Sequence, residues 1–174
     1  MKPITRLYVK TFFLTGVPYG LCMMGVDWAL GNGFRWGRFL FLMFFFGLTM
    51  SLVLVSLHKY KLRKLGVREI DDDNIGVRQS RKLSSRLSLS ELTDKLKANS
   101  ATRKMRVKEI ENGILLKTGI SWKSWGEIIK IVLKNRSETG FEYQITSYPK
   151  LKTSLVDYGK SIENINRIEE LLKD

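Results

Sequence analysis

The longest uncharged stretch of the chain, residues 39–57, limits what the rest can fold into. It reads FLFLMFFFGLTMSLVLVSL, nineteen residues without a charged side chain. An α-helix rises about 1.5 Å per residue, so this stretch is about 28 Å long as a helix, close to the thickness of a bilayer's hydrocarbon core. The basic run HKYKLRKLGVR follows at once and cannot enter lipid. The sequence therefore predicts a membrane protein with most of its chain outside the bilayer.

A second apolar segment, residues 11–30, follows a basic start and resembles a secretory signal. The region where cleavage would fall carries large or charged residues in place of small ones: Met23, Met24, Asp27 and Trp28. We therefore expect this segment to be retained as a first membrane helix. With a second helix at about 37–58, it predicts a transmembrane hairpin over residues 1–58.

The first apolar segment contains a proline and several glycines: Gly16, Pro18, Gly20 and Gly25. Proline removes one helical hydrogen bond and tends to kink a helix, while small residues let a neighbouring helix approach closely. These four residues predict helix packing or docking. The neighbour is either the second helix of the same chain or another membrane protein.

Asp27 lies at the far end of this segment, beside Trp28 and before a Gly-Asn-Gly turn. Tryptophan favours the membrane interface, so we place Asp27 at the level of the lipid headgroups, near Arg35 or Arg38. A proton or ion relay is the alternative role for an acidic residue in such a segment.

The formal net charge of +13 is concentrated after the second apolar segment. The cluster comprises Lys59, Lys61, Arg63, Lys64 and Arg68. Cytoplasmic flanks of membrane helices carry an excess of lysine and arginine, so both termini are predicted to face the cytoplasm from a multi-pass inner-membrane protein. The same cluster predicts contact with anionic lipid heads, and it explains the basic character without a nucleic-acid partner.

The remainder divides into a basic and acidic connector, residues 59–74, and a cytoplasmic α+β domain, residues 75–174. We expect a strand before residue 88, a helix capped by Ser88, strands at about 103–111 and 114–120, then strands at 127–133 and 141–145, and a last helix from Ser161. Asn112-Gly113 predicts a hairpin turn with both central residues at positive φ. The predicted order is thus β-α-β-β-β-β-α, an antiparallel sheet with two helices.

Few residues in the chain carry recognisable chemistry. There is one histidine, His58, and one cysteine, Cys22, and the sequence has neither a Ser-His-Asp set nor a GxxxxGK phosphate loop. The triplet Asp71-Asp72-Asp73 lacks the alternate spacing of a calcium loop. We therefore predict no catalytic residue, no cofactor and no metal, and a protein that is not an enzyme.

One long loop, residues 148–160, combines aromatic and basic side chains ahead of the last helix. Loops carry function disproportionately, so it is the predicted partner loop, and an ordinary crossover covering the sheet is the alternative. Its candidate residues are Tyr148, Lys150, Lys152, Asp157, Tyr158 and Lys160. Trp122 and Trp125 are either core residues or an exposed docking pair.

The leading functional hypothesis is an accessory or scaffold subunit. Its hairpin would anchor or dock on a membrane assembly, another membrane protein or a second copy, and its α+β domain would bind a protein partner or anionic lipid heads. One alternative is an immunity-like or regulatory protein that blocks a membrane-acting toxin or transporter. The other is a membrane-surface enzyme that uses the 148–160 loop.

Overall fold

A computed structural model describes residues 1–100, 102–120, 124–137, 140–151 and 153–173. The predicted site residue Lys152 and the candidate docking residue Trp122 lie outside this part of the chain. The chain forms two compact units, Met1–Ile75 and Gly76–Asp174. Each is described by itself.

The first unit consists of two long apolar helices, which confirms the predicted helix pair. Helix α1 spans Pro3–Ala29 and helix α2 spans Trp36–Lys64. Both are long and apolar enough to cross a bilayer, by their length and composition. Both helices are longer than predicted, because polar residues at their ends are helical too. Helix α1 begins at Pro3, whose fixed φ suits a first helical position, and α2 continues through the basic residues up to Lys64.

A short turn joins the two helices. Gly31 and Gly33 adopt φ values of +78° and +68°, a region that residues with a side chain rarely enter. The Gly-Asn-Gly segment therefore lets the chain reverse between α1 and α2.

The second unit is an antiparallel sheet with helices. Its elements are β1 (Gln79–Ser85), α3 (Leu89–Ala98), β2 (Arg106–Ile110), β3 (Gly113–Lys117), β4 (Glu127–Ser137), β5 (Gly140–Pro149) and α4 (Lys160–Lys173). This order is the predicted one. The five strands lie in the order β1-β5-β4-β3-β2, with every neighbouring pair antiparallel.

Both helices of this unit pack on the same face of the sheet. Leu92 and Leu96 of α3, with Ile165 and Ile168 of α4, join one buried core with the inward residues of the strands. Those strand residues include Ile114, Leu116, Ile129, Ile131, Tyr143 and Ile145. Ser88 and Glu91 form a capping box at the start of α3, as the serine predicted. The other face of the sheet carries neither of the two helices described in this unit.

The turn at Asn112-Gly113 differs from the prediction. Ile110 pairs with Gly113, so the loop consists of Glu111 and Asn112, and Gly113 is already the first residue of β3. None of these three residues adopts a positive φ. The glycine is needed instead for close approach, since a Cβ atom there would lie 2.0 Å from the carbonyl oxygen of Ile131 on β4.

Candidate functional site

A cleft of about 500 Å³ lies on the helix-bearing side of the sheet, beside the connection between β5 and α4. We call it the Glu127 cleft. It is lined by Ile120, Ser124, Trp125, Glu127, Pro149, Leu151, Ser154, Val156, Asp157 and Tyr158. The predicted partner loop therefore contributes one wall of a cavity, and the start of β4 contributes another.

The rim of the Glu127 cleft is apolar and exposed. Ile120 is 74% exposed, Trp125 67% and Leu151 45%. In the described part of the second unit, these are the three large hydrophobic residues that are exposed. Single exposed apolar residues are ordinary on a protein surface, whereas these three gather around one cavity. Trp125 is thus exposed, and the expectation of a core tryptophan is wrong at this position.

A buried carboxylate lies at the base of this cleft. Glu127 is 1% exposed, and Oε1 accepts a hydrogen bond from the Ser124 hydroxyl. Among the described residues, Oε2 has no hydrogen-bond partner although it is buried. Burial raises the pKa of Glu127; the nearby Asp157 also raises it, while the Ser124 hydrogen bond and Lys160 lower it.

The backbone beside the cleft is held in place by Asp157. Its Oδ1 accepts the Gly159 N–H at 3.0 Å and its Oδ2 accepts the Ser161 N–H at 2.9 Å, so this carboxylate caps the start of α4. Tyr158, which lies between Asp157 and Gly159, has a φ of +52°, the one positive φ of a residue other than glycine in the described chain. Such backbone strain concentrates at functional sites. Burial also raises the pKa of Tyr158.

The remaining predicted loop residues do not converge on one point. Lys150 donates a hydrogen bond from Nζ to the Thr118 carbonyl oxygen at 3.1 Å, and Lys160 pairs with Glu163 at 2.9 Å. Tyr148 belongs to β5 and lies on the opposite face of the sheet, under the guanidinium of Arg78 at 5.4 Å. Of the predicted site residues in this loop that the structure describes, Asp157 and Tyr158 line the cleft.

Sequence reasoning missed Glu127, Ile120 and Leu151 as site residues. Glu127 opens a strand in which Ile129 and Ile131 point into the core, so strict alternation places its side chain inward too. That alternation was a readable signal. Nothing in the local pattern indicated that the loop after β5 would leave a cavity above this residue.

The face of the sheet that carries neither described helix is strongly basic, a feature that the linear pattern of residues does not reveal. Lys82, Arg106, Lys108, Lys117 and Lys130 alternate with inward residues of their strands, and all five are exposed. Arg78 joins them through its contact with the Tyr148 ring. We call these six residues the open basic face.

In the first unit, the predicted glycines divide into two groups. Gly16 and Gly20 are buried against α2: added Cβ atoms would lie 2.5 Å from the Met43 carbonyl oxygen and 2.9 Å from the Phe39 ring, respectively. Gly25 has nothing within 4 Å of such an atom. Pro18 lies inside α1, which continues through it. Gly16 and Gly20 therefore pack on the second helix of the same chain.

Asp27 is paired, as its position predicted. Its Oδ1 accepts a hydrogen bond from Arg38 Nη1 at 2.6 Å, and the carboxylate is almost completely buried. The pair joins the end of α1 to the first turns of α2. Charge-assisted hydrogen bonds of this length are among the stronger polar contacts in proteins.

The juxtamembrane cluster lies on the last turns of α2 and just beyond. Lys59 and Lys61 are half-buried, and Arg63, Lys64 and Arg68 are exposed. His58 is buried nearby, and the Ile75 carbonyl oxygen accepts a hydrogen bond of 3.2 Å from its Nε2. The exposed Arg6 and Asp72 form an ion pair at 3.1 Å within the same unit.

No protein-family model, no curated protein and no solved structure matches this chain.

Proposed function

We propose that this protein is a membrane-anchored accessory subunit whose α+β domain binds a protein partner in the Glu127 cleft. The observation that carries this proposal is the gathering of Ile120, Trp125 and Leu151, the exposed large apolar residues of the described domain, around one buried acidic residue. Exposed apolar side chains around a cavity are what a partner's apolar anchor needs. Their burial on binding would supply the driving force.

The cleft also favours a particular partner chemistry. Asp157 already accepts two backbone hydrogen bonds, while Glu127 Oε2 lacks a donor among the described residues. A buried carboxylate gains most from a cationic donor, so we expect the partner to place a lysine or arginine beside its apolar anchor. Because Oε2 is buried, the structure around it must open before the donor reaches it.

The hairpin would hold this domain at a membrane. Both apolar helices have the length and hydropathy for a bilayer span, and the basic cluster at the end of α2 favours a cytoplasmic location for both termini of an inner-membrane protein. Lys59, Lys61, Arg63, Lys64 and Arg68 would contact anionic lipid heads. Gly16 and Gly20 are occupied within the hairpin, so docking on a further membrane protein would use another side of α1, such as that of Gly25.

Site-specific photo-crosslinking in cells tests the proposed cleft. A photoreactive phenylalanine derivative replaces either Trp125, on the rim, or Glu111, in the exposed turn between β2 and β3. We expect a discrete protein adduct from position 125 and none from position 111. The adduct should disappear when Leu151→Asp is added, and the crosslinked partner peptide should contain a lysine or arginine next to an apolar residue.

Two results would contradict the proposal. Equal adducts from positions 125 and 111 would indicate nonspecific contact, and an adduct that survives Leu151→Asp would place the partner outside the cleft.

Extraction of membranes with alkaline carbonate tests the anchor separately. The full chain should stay in the membrane pellet, and its release into the supernatant would refute the membrane location.

The other two functions stay predictions. An immunity-like or regulatory role would require the hairpin itself to block a membrane-acting toxin or transporter. A membrane-surface enzyme would use the 148–160 loop, and Glu127, which lines the same cleft and has a raised pKa, would be its general acid.

A further inference from the structure

The cations of the open basic face lie close to one another, although like charges repel. Arg106 and Lys117 are direct cross-strand partners on β2 and β3. Lys108 and Lys130 flank Leu115 from either side in one row across the sheet. Like charges opposite one another on a sheet face are destabilising, so the fold gains nothing from this arrangement.

Acidic residues of the described strands offset one of these charges. Glu142 is the one acidic residue on this face in the described strands, and it pairs with Lys82 at 3.6 Å. Arg106, Lys108, Lys117 and Lys130 have no ion pair within the described residues. The opposite side of the domain is different, because Arg81 pairs with Glu169, Lys97 with Glu109, and Arg167 with Glu163.

The surface between these cations is partly apolar. Leu115, Ile128, Val132 and Tyr148 lie on the same face and are half-buried. A broad sheet face with exposed cations around partly exposed apolar side chains matches the boundary of an anionic bilayer, where headgroups are negative and acyl chains lie just beneath. Long lysine and arginine side chains can reach the headgroups from such a face.

We infer that the open basic face docks on the surface of an anionic lipid bilayer. This inference rests on the proposed membrane location, because the hairpin supplies the high local lipid concentration that makes weak, salt-sensitive charge contacts effective. It adds a second interaction surface to the domain. The Glu127 cleft lies on the other side of the sheet, so lipid contact leaves the cleft free for its partner.

Nucleic acid is the competing anionic partner, and the face fits it less well. Sheets that read single-stranded RNA stack two or three bases on exposed aromatic side chains. Tyr148 is the one aromatic residue of the described strands on this face, and its ring already lies under the Arg78 guanidinium.

Lysine footprinting on the full chain tests the inference. The protein is placed in lipid nanodiscs of phosphatidylcholine alone or of phosphatidylcholine with phosphatidylglycerol, and acetylation rates are measured by mass spectrometry. We expect Lys108, Lys117 and Lys130 to react about threefold or more slowly in the anionic discs, with the protection lost at about 0.5 M salt. Lys95, a half-buried residue of α3 on the opposite side, should react equally in both lipids.

Charge-reversal variants provide the matched control. Lys108→Glu with Lys130→Glu should abolish the protection of Lys117, whereas Lys95→Glu should leave it intact. Lys108 and Lys130 are exposed and Lys95 is half-buried, and thermal unfolding should show the fold retained in each variant.

The failure of the inference and that of the membrane location look different. Equal lysine rates in both kinds of disc, with the chain firmly inserted, would overturn lipid docking alone. A chain that never enters the discs would refute the membrane location and, with it, the inference. Strong protection by polyuridylate combined with none by phosphatidylglycerol would also overturn the inference, in favour of nucleic acid.

Discussion

Gly16 of α1 lies directly against Gly47 of α2. A Cβ atom on Gly16 would meet the Met43 carbonyl oxygen at 2.5 Å and the Gly47 Cα at 3.1 Å, and one on Gly47 would meet the Phe12 carbonyl oxygen at 2.8 Å. The two backbones therefore approach as closely as small residues allow. Helices in lipid associate largely through such close packing, because hydrophobic burial gives them little advantage there.

Gly16→Leu should separate the two helices. The added side chain must displace backbone atoms of α2, and we expect a loss of about 2 kcal/mol in unfolding free energy, measured by thermal denaturation in a mild detergent. Gly25→Leu is the matched control, since it adds the same side chain to the same helix where nothing lies within 4 Å. Equal effects of the two substitutions would mean that the contact between α1 and α2 does not limit stability.

Arg38→Gln should destabilise the turn end of the hairpin. It leaves the Asp27 carboxylate buried without its charged donor, which we expect to cost about 2 kcal/mol. Asp27→Asn in the Arg38→Gln background should recover part of this loss, because the unpaired charge is then removed. Arg35→Gln serves as the control, as Arg35 forms no ion pair in the described chain. Additive effects of Asp27→Asn and Arg38→Gln in a double-mutant cycle would contradict the coupling.

The order of elements was predictable because each has a local signal. The uncharged stretch at 39–57, the cap at Ser88 and the alternation of Phe141, Tyr143 and Ile145 each follow from hydrophobic spacing or capping chemistry. Their ends were less predictable. Strand β4 continues past Leu133 to Ser137 through polar residues, because backbone pairing with β5 across a register shift, and not side-chain pattern, holds them.

The candidate site was only partly predictable for the same physical reason. The loop between β5 and α4 stood out by composition, and two of the site residues predicted in it, Asp157 and Tyr158, line the cleft. The Glu127 cleft itself joins residues distant in the sequence. Ile120, Trp125 and Glu127 meet Pro149, Leu151 and Tyr158 because β4 pairs with β5. The open basic face likewise arises from the sheet order, which places cations of four strands on one surface.

Gly113→Ala tests the corrected description of the β2–β3 turn. The added methyl group would overlap the Ile131 carbonyl oxygen, so β3 and β4 would have to separate, and we expect a loss of about 3 kcal/mol in unfolding free energy. Gly119→Ala, where a Cβ meets nothing within 4 Å, should change stability little. If Gly113→Ala were also harmless, β3 would not lie as close to β4 as described.

Glu127→Gln should stabilise the domain at high pH and not at low pH. Burial raises the pKa of this carboxyl above its ordinary value of 4.5, so its contribution to stability is fully present below that value and is lost as the pH rises through the raised pKa. Glutamine keeps the shape and an acceptor for Ser124 but carries no charge to bury. Chemical denaturation of the full chain in detergent should therefore show Glu127→Gln more stable than the parent at about pH 8, with the difference shrinking towards zero near about pH 4.

Glu111→Gln, in an exposed turn, should show no such trend. A difference independent of pH would mean that the burial of this charge does not govern stability. If the stabilised variant also lost the adduct at position 125, the acidic residue would be retained for partner binding at a cost in stability.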